Sequence, residues 1–248
     1  MTELEALHKY GEELERRLRL KTFPLAVKLI EKEEDMPEEA VRPTRDLGYH
    51  MPLCQIFATS RREGTIMAAL KEDMFCFEPV VGYGMAEPPQ YFLEGHNRFP
   101  QDVESLEVGK NYAADFPRLP VGKYIGVISA PLKTANFEPD LVAREYKMGY
   151  DLKQSLSSHA ACVYSVVPAI QAGECRIAIP CRGDHYFAIA GDDELIFTVP
   201  AEKLDDLMKG LRFLETTGSK LPKNYDMKKE PEFPESYMEI ARMTGMDV

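Results

Sequence analysis

Two pairs of cysteines recur in the same setting along this chain of 248 residues, and thiols so placed can hold a soft metal. Cys54 lies in Pro52-Leu53-Cys54-Gln55-Ile56-Phe57-Ala58, and Cys76 follows after 21 intervening residues. Cys162 lies in Ala160-Ala161-Cys162-Val163-Tyr164-Ser165-Val166-Val167, and Cys181 follows after 18. Each pair brackets an expected helix, a glycine (Gly64, Gly173), a short apolar strand and then the second cysteine. Four thiolates ligate iron–sulfur clusters, and tetrahedral zinc accepts the same donors. Cys54, Cys76, Cys162 and Cys181 are therefore the candidate metal ligands, with an iron–sulfur cluster as the expected cofactor and zinc as the runner-up. No pair has the Cys-x-x-Cys spacing of zinc ribbons or ferredoxin runs, so the expectation rests on duplication alone. Core packing is the competing explanation, because free cysteine behaves as a small hydrophobe. Cys162 shares a helical face with Val166 and Ala169, and Cys175 shares a strand face with Ile177, Ile179 and Cys181.

The residues beside the second pair offer other chemistry. Arg182, Gly183 and His185 follow Cys181, and a basic turn there would lower the thiol pKa and make Cys181 a nucleophile. Gly183 would let a ligand approach the backbone, and the same turn would donate hydrogen bonds to cluster sulfurs. His50 precedes Cys54 by four residues and His159 precedes Cys162 by three, a spacing that places each pair on one helical face. Val81-Gly82-Tyr83-Gly84-Met85 contains Gly-x-Gly without the full dinucleotide fingerprint. Gly82, Gly84, Arg182 and Gly183 are the candidate cofactor-approach residues, and Tyr83, Tyr91 and Phe92 are candidate pocket aromatics. No Ser-His-Asp order, kinase signature or His-Glu-x-x-His motif is present.

The elements that must position these groups follow from periodicity and punctuation. Leu4, Leu7, Leu14 and Leu18 make one apolar stripe on a first helix. Strands are expected at 24–30, 66–70, 123–130, 140–146, 174–180, 186–189 and 195–199. Helices are expected at 52–62, 101–116, 148–156, 159–172 (with Pro168 kinking or ending it) and 200–215. A loop or short helix at 80–95 would lie over the site. A lysine- and proline-rich arm at 216–234 precedes a final short helix. The expected fold class is α+β, or mixed α/β, with a central sheet and two pseudo-repeated halves, each carrying a helix–strand–Cys unit. Residues 1–214 would form one globular domain, half one at about 18–100 and half two at about 120–214, with 215–248 a C-terminal arm and short helix.

Composition bounds the function classes. With 44% hydrophobic residues the chain can bury a core, and a net charge of −11 opposes non-specific binding to nucleic acid or anionic membranes. The acidic start lacks a signal-peptide pattern and no apolar run reaches the roughly 20 residues of a membrane span. A cytoplasmic location is expected, where five cysteines stay reduced. The expected partner is a redox protein with a basic docking patch, or a small-molecule substrate, without nucleic acid or membrane.

Several motifs resemble an archaeal and anaerobe-rich family, the domain of unknown function 169. They are Leu20-x-x-x-Pro24-Leu25-Ala26-Val27-Lys28, Ala130-Pro131-Leu132 followed by Pro139-Asp140-Leu141-Val142, and Ile179-Pro180-Cys181-Arg182-Gly183 followed by Glu194-Leu195 and Val199-Pro200. The similarity spans roughly residues 18 to 214. It implies cysteines at 54, 76, 162 and 181, with Cys175 an extra, and it implies no reaction. Asp184-His185 departs from the small residue and arginine of the family pattern. The resulting expectation is an iron–sulfur redox protein, for electron transfer or reduction of a small substrate. The rivals are a metal-free small-molecule binding protein or sensor, and a thiol-dependent enzyme using Cys181.

Overall fold

The computed structural model describes residues 3–147, 160–191, 194–216 and 235–245. The expected helix at 148–156, most of the arm at 216–234, and His159 lie outside the described residues. The chain divides into two compact units, Met1–Leu204 and Asp205–Val248.

The first unit opens with α1 (Glu3–Leu18) and β1 (Leu25–Ile30), followed by α2 (Leu53–Glu63), β2 (Met67–Leu70) and α3 (Phe77–Gly82). Next come α4 (Gln90–Leu93), α5 (Leu106–Asp115), β3 (Gly126–Pro131) and β4 (Leu141–Lys147). It closes with α6 (Ala161–Ala172), β5 (Arg176–Ala178), α7 (Arg182–Phe187) and β6 (Glu194–Pro200). In the second unit α8 (Leu204–Thr216), whose first residue still belongs to the first unit, is followed by α9 (Glu235–Met243). Helices and a six-stranded antiparallel sheet make this an α+β fold.

The strand order β2-β3-β1-β4-β6-β5 is a palindrome when β1, β2 and β3 are matched to β4, β5 and β6. The register obeys the same rule. Leu25 pairs with Pro131 at the outer end of β1–β3, and Leu141 pairs with Pro200 at the outer end of β4–β6. Ser129 pairs with Met67, as Thr198 pairs with Arg176. At the centre, Leu25 faces Ala143 and Val27 faces Leu141, so the pseudo-twofold axis passes through the pair Ala26–Val142. By pairing, β3 belongs with the first half.

Alternation explains the core. Leu25, Val27, Leu29, Met67, Ala69, Val127, Leu141 and Ala143 fall on one face of the sheet and join one cluster with Leu53, Ile56, Val163 and Val166. That face is covered by α2 over β1–β3 and by α6 over β4–β6. Both helices stop at a glycine in the left-handed conformation, Gly64 at φ 79° and Gly173 at φ 59°. Pro168 lies inside α6, which runs on to Ala172. Helix α6 is buried along most of its length, and tertiary packing holds it through the missing backbone donor.

One expected strand is a helix. The run Tyr186-Phe187-Ala188-Ile189 is short and apolar, yet residues 182–187 coil into α7. The Asp184 carboxylate accepts the Cys181 backbone N–H at 2.6 Å, and the Cys181 side chain accepts the N–H of Asp184, closing a capping box. From α2, Arg61 donates to the Ala188 carbonyl at 3.2 Å and Arg62 to that of Ile189 at 2.8 Å, which fixes the turn after α7.

Candidate functional site: a cavity lined by four thiols

The repeated cysteines occupy equivalent backbone positions. Cys54 and Cys162 are each the second residue of a long helix, α2 and α6. Cys76 and Cys181 are each the N-cap of a short one, α3 and α7. The short helices cross between halves: α7 packs on α2, and α3 packs on α6. Gly82 permits that second approach, because a Cβ there would clash with Val163 Cγ1. These crossings bring all four thiols to one cavity of about 260 Å³, where a single water needs only about 15 Å³. Pro52, Leu53, Ala160, Gly183 and Glu78 complete its inner wall, and Phe75, Phe77 and Phe187 form the rim. Phe75 and Phe187 meet across it with ring centroids 6.4 Å apart.

Four helix starts therefore point at one space, and helix starts carry unpaired N–H groups and partial positive charge. The thiols use some of those donors. Cys54 sulfur accepts the N–H of Gln55, Cys76 that of Glu78, and Cys181 those of Asp184 and Ala161. Each bond favours a thiolate. Burial outweighs them: it is the largest influence on all four thiols and pushes every one up, Cys181 to about 11. Asp184 raises Cys181 further, and Glu78, which accepts from Cys76 Sγ at 2.7 Å, does the same to Cys76. Without a bound cation the cavity holds four neutral thiols.

This corrects the expectation for the Cys181 turn. Arg182 is exposed, with its guanidinium 5.6 Å from the centre of the Tyr186 ring, and burial together with Asp184 holds the Cys181 pKa up. Gly183 does line the cavity. Gly84 packs away from it, against the backbone of Leu119 and Pro120. Between the two loop glycines, Tyr83 is fully buried and donates from its hydroxyl to the Cys162 carbonyl at 3.1 Å, so this loop holds the start of α6. Phe92 is core, Tyr91 is exposed and stacked on His96, and His50 is exposed outside the cavity lining.

Sequence reading missed Glu78 and Asp184. The Cys-x-x-Asp spacing of a capping box marks Asp184, whereas nothing local marks Glu78. Glu78 is buried with Arg98, whose guanidinium reaches it at 3.4 Å and also donates to Tyr112 at 2.7 Å. A second chamber of about 40 Å³ is lined by Cys54, Cys162, Asp184, Arg61 and the pair Leu25 and Ala143, next to the pseudo-twofold axis.

Among the described residues, no three His, Cys, Asp or Glu side chains stand close enough to hold one metal ion. A single zinc needs its sulfurs about 3.8 Å apart, from Zn–S bonds of about 2.3 Å. Four thiols lining one cavity are nonetheless the donor type that thiophilic metals and iron–sulfur clusters take.

The chain matches the uncharacterised ArCR family, domain of unknown function 169, over residues 13–146 and 143–210, and it belongs to that family. Comparison with curated proteins and with solved structures finds no match.

Proposed function

We propose that this protein carries an iron–sulfur cluster on Cys54, Cys76, Cys162 and Cys181, and works as a redox protein. One observation carries the reading: four cysteines at equivalent positions of two halves line one cavity at the starts of four helices. A cluster there would supply one-electron transfer. The chain's own part is to hold, tune and shield. Loading requires each thiol to release its proton, and Cys76 releases one that Glu78 Oε2 now accepts. The backbone donors on the sulfurs and the four helix starts stabilise the negative charge that develops. Leu53, Phe75, Phe77 and Phe187 exclude water, and the rim aromatics face a partner protein or small substrate.

No helix of the described residues is long and apolar enough to cross a membrane. Five free thiols suit a reducing compartment, and we place the protein in the cytoplasm. A second reading, a metal-free small-molecule binder, is favoured by the aromatic rim and the neutral thiols. Zinc is the third, and a nucleophilic Cys181 is disfavoured by a thiol pushed up to about 11.

The test is iron and acid-labile sulfide analysis with a visible spectrum on protein purified without oxygen. We expect absorbance near about 400 nm, lost in each Cys→Ser variant at the four positions and kept in Cys175→Ser. Zinc without sulfide would make the site a structural clasp. A protein that stays metal-free after anaerobic reconstitution would sink the cluster and leave the small-molecule reading.

A further inference from the structure

The two halves differ at one position beside the thiols. Two residues after Cys76 stands Glu78, whose carboxylate closes over the Cys76 sulfur at 2.7 Å. Two residues after Cys181 stands Gly183, which closes over nothing. A Cβ at Gly183 would meet Cys54 Sγ at 3.3 Å and Cys181 Sγ at 3.5 Å, and, among the described residues outside its own helix backbone and adjacent residues, nothing else within 4 Å. The residue is not in the left-handed region, so its backbone admits any side chain. It lies in the first turn of α7, where alanine is the better helix former. Neither backbone conformation nor helix stability explains a glycine here. What its missing side chain leaves is room between two sulfurs from opposite halves, on the wall of the 260 Å³ cavity.

We infer that Gly183 is the specificity-determining position of the thiol cavity. Its open flank is where an extended thiophilic body reaches both Cys54 and Cys181. The inference rests on the cluster reading for the identity of that body. The flank is asymmetric: Glu78 caps the Cys76 corner, and Gly183 leaves the Cys54–Cys181 edge free. A methyl group there occupies the space beside both sulfurs, leaving thiols in place that no longer share a body between them.

The experiment compares wild type, Gly183→Ala and the control Gly210→Ala, whose Cβ would meet nothing within 4 Å among the described residues. Each full chain is melted, reconstituted anaerobically with iron and sulfide, and, metal-free, labelled with iodoacetamide and mapped by mass spectrometry. For G183A we expect a melting temperature no lower than wild type, at least a tenfold fall in bound iron, and severalfold slower labelling of Cys54 and Cys181. G210A should load like wild type, and Cys175 should label equally in all three. Iron loading of G183A equal to wild type overturns the inference. So does a melting temperature well below wild type, which would make the glycine a requirement of the fold. If wild type itself takes up no iron, the cluster reading fails and the labelling decides: slowed Cys54 and Cys181 keep Gly183 as the gate of the cavity, unchanged rates remove it.

Discussion

Asp184 shows how one side chain serves local structure at an electrostatic cost. Its carboxylate caps α7 through the Cys181 N–H, and burial pushes its pKa up. A carboxyl raised in the folded state contributes stability below its unfolded value of about 3.9, and loses it as pH rises through the folded value. At neutral pH the ionised group therefore opposes folding. Asp184→Asn keeps an acceptor for the Cys181 N–H and removes the charge. Thermal melts of the metal-free protein should show D184N more stable by ~1 kcal/mol at pH 7, with the gain vanishing below about pH 4. The same change brings the Cys181 thiol down from about 11, so its alkylation at pH 8 should quicken. An unchanged labelling rate would mean that Asp184 does not govern this thiol.

At the scale of elements, the pseudo-twofold pairs β3 with β6 and exposes what each half did with the same position. Ser129 of β3 is matched by Thr198 of β6, both fully buried. Ser60 of α2 donates to the Ser129 carbonyl at 3.0 Å and pairs with its hydroxyl at 2.8 Å. Counting back from the terminal glycine, α6 offers Ala169 in place of Ser60, and the Thr198 hydroxyl has no partner among the described residues. A buried hydroxyl without a partner costs on the order of 1–3 kcal/mol. Thr198→Val should therefore gain ~1 kcal/mol in urea unfolding, whereas Ser129→Ala should lose ~0.5–1 kcal/mol, because it removes the hydroxyl–hydroxyl bond while Ser60 keeps the Ser129 carbonyl. Equal losses in both variants would show that the two positions are satisfied alike.

For the whole molecule, four thiols raised together link stability to alkaline pH. The folded chain holds these protons more tightly than the unfolded chain, whose thiols titrate near about 8.5. The stabilisation is complete below that value and is lost as pH rises through the folded values, of which Cys181 at about 11 is the lowest. The metal-free protein should thus melt at a steady temperature from pH 7 to about 8.5 and fall steeply between about 9 and 11. Replacing all four cysteines by serine should flatten that limb. A limb of equal steepness in the quadruple variant would place its origin elsewhere.

What the sequence determined by itself is what depends on neighbours along the chain. Gly64 and Gly173 end helices because a left-handed residue can, Leu25-Ala26-Val27 and Leu141-Val142-Ala143 read as buried strands, and the recurring cysteines follow from the same local order. Local pattern misled at 186–189, where a short continuous apolar run is common to a strand and to a helix end whose Phe187 lines the cavity rim. It also misled at Arg182, because charge near a thiol in sequence says nothing of which way a guanidinium points. Only the tertiary structure decided that β1 pairs with β4, a contact between residues more than a hundred positions apart, and that α3 and α7 cross to the opposite halves. Those long-range pairings, set by burial of both sheet faces and not by propensity, turn four separated cysteines into one site. They also decide the role of each glycine, since Gly82 and Gly183 look alike in sequence. One is pressed against Val163 and the other stands open between two sulfurs.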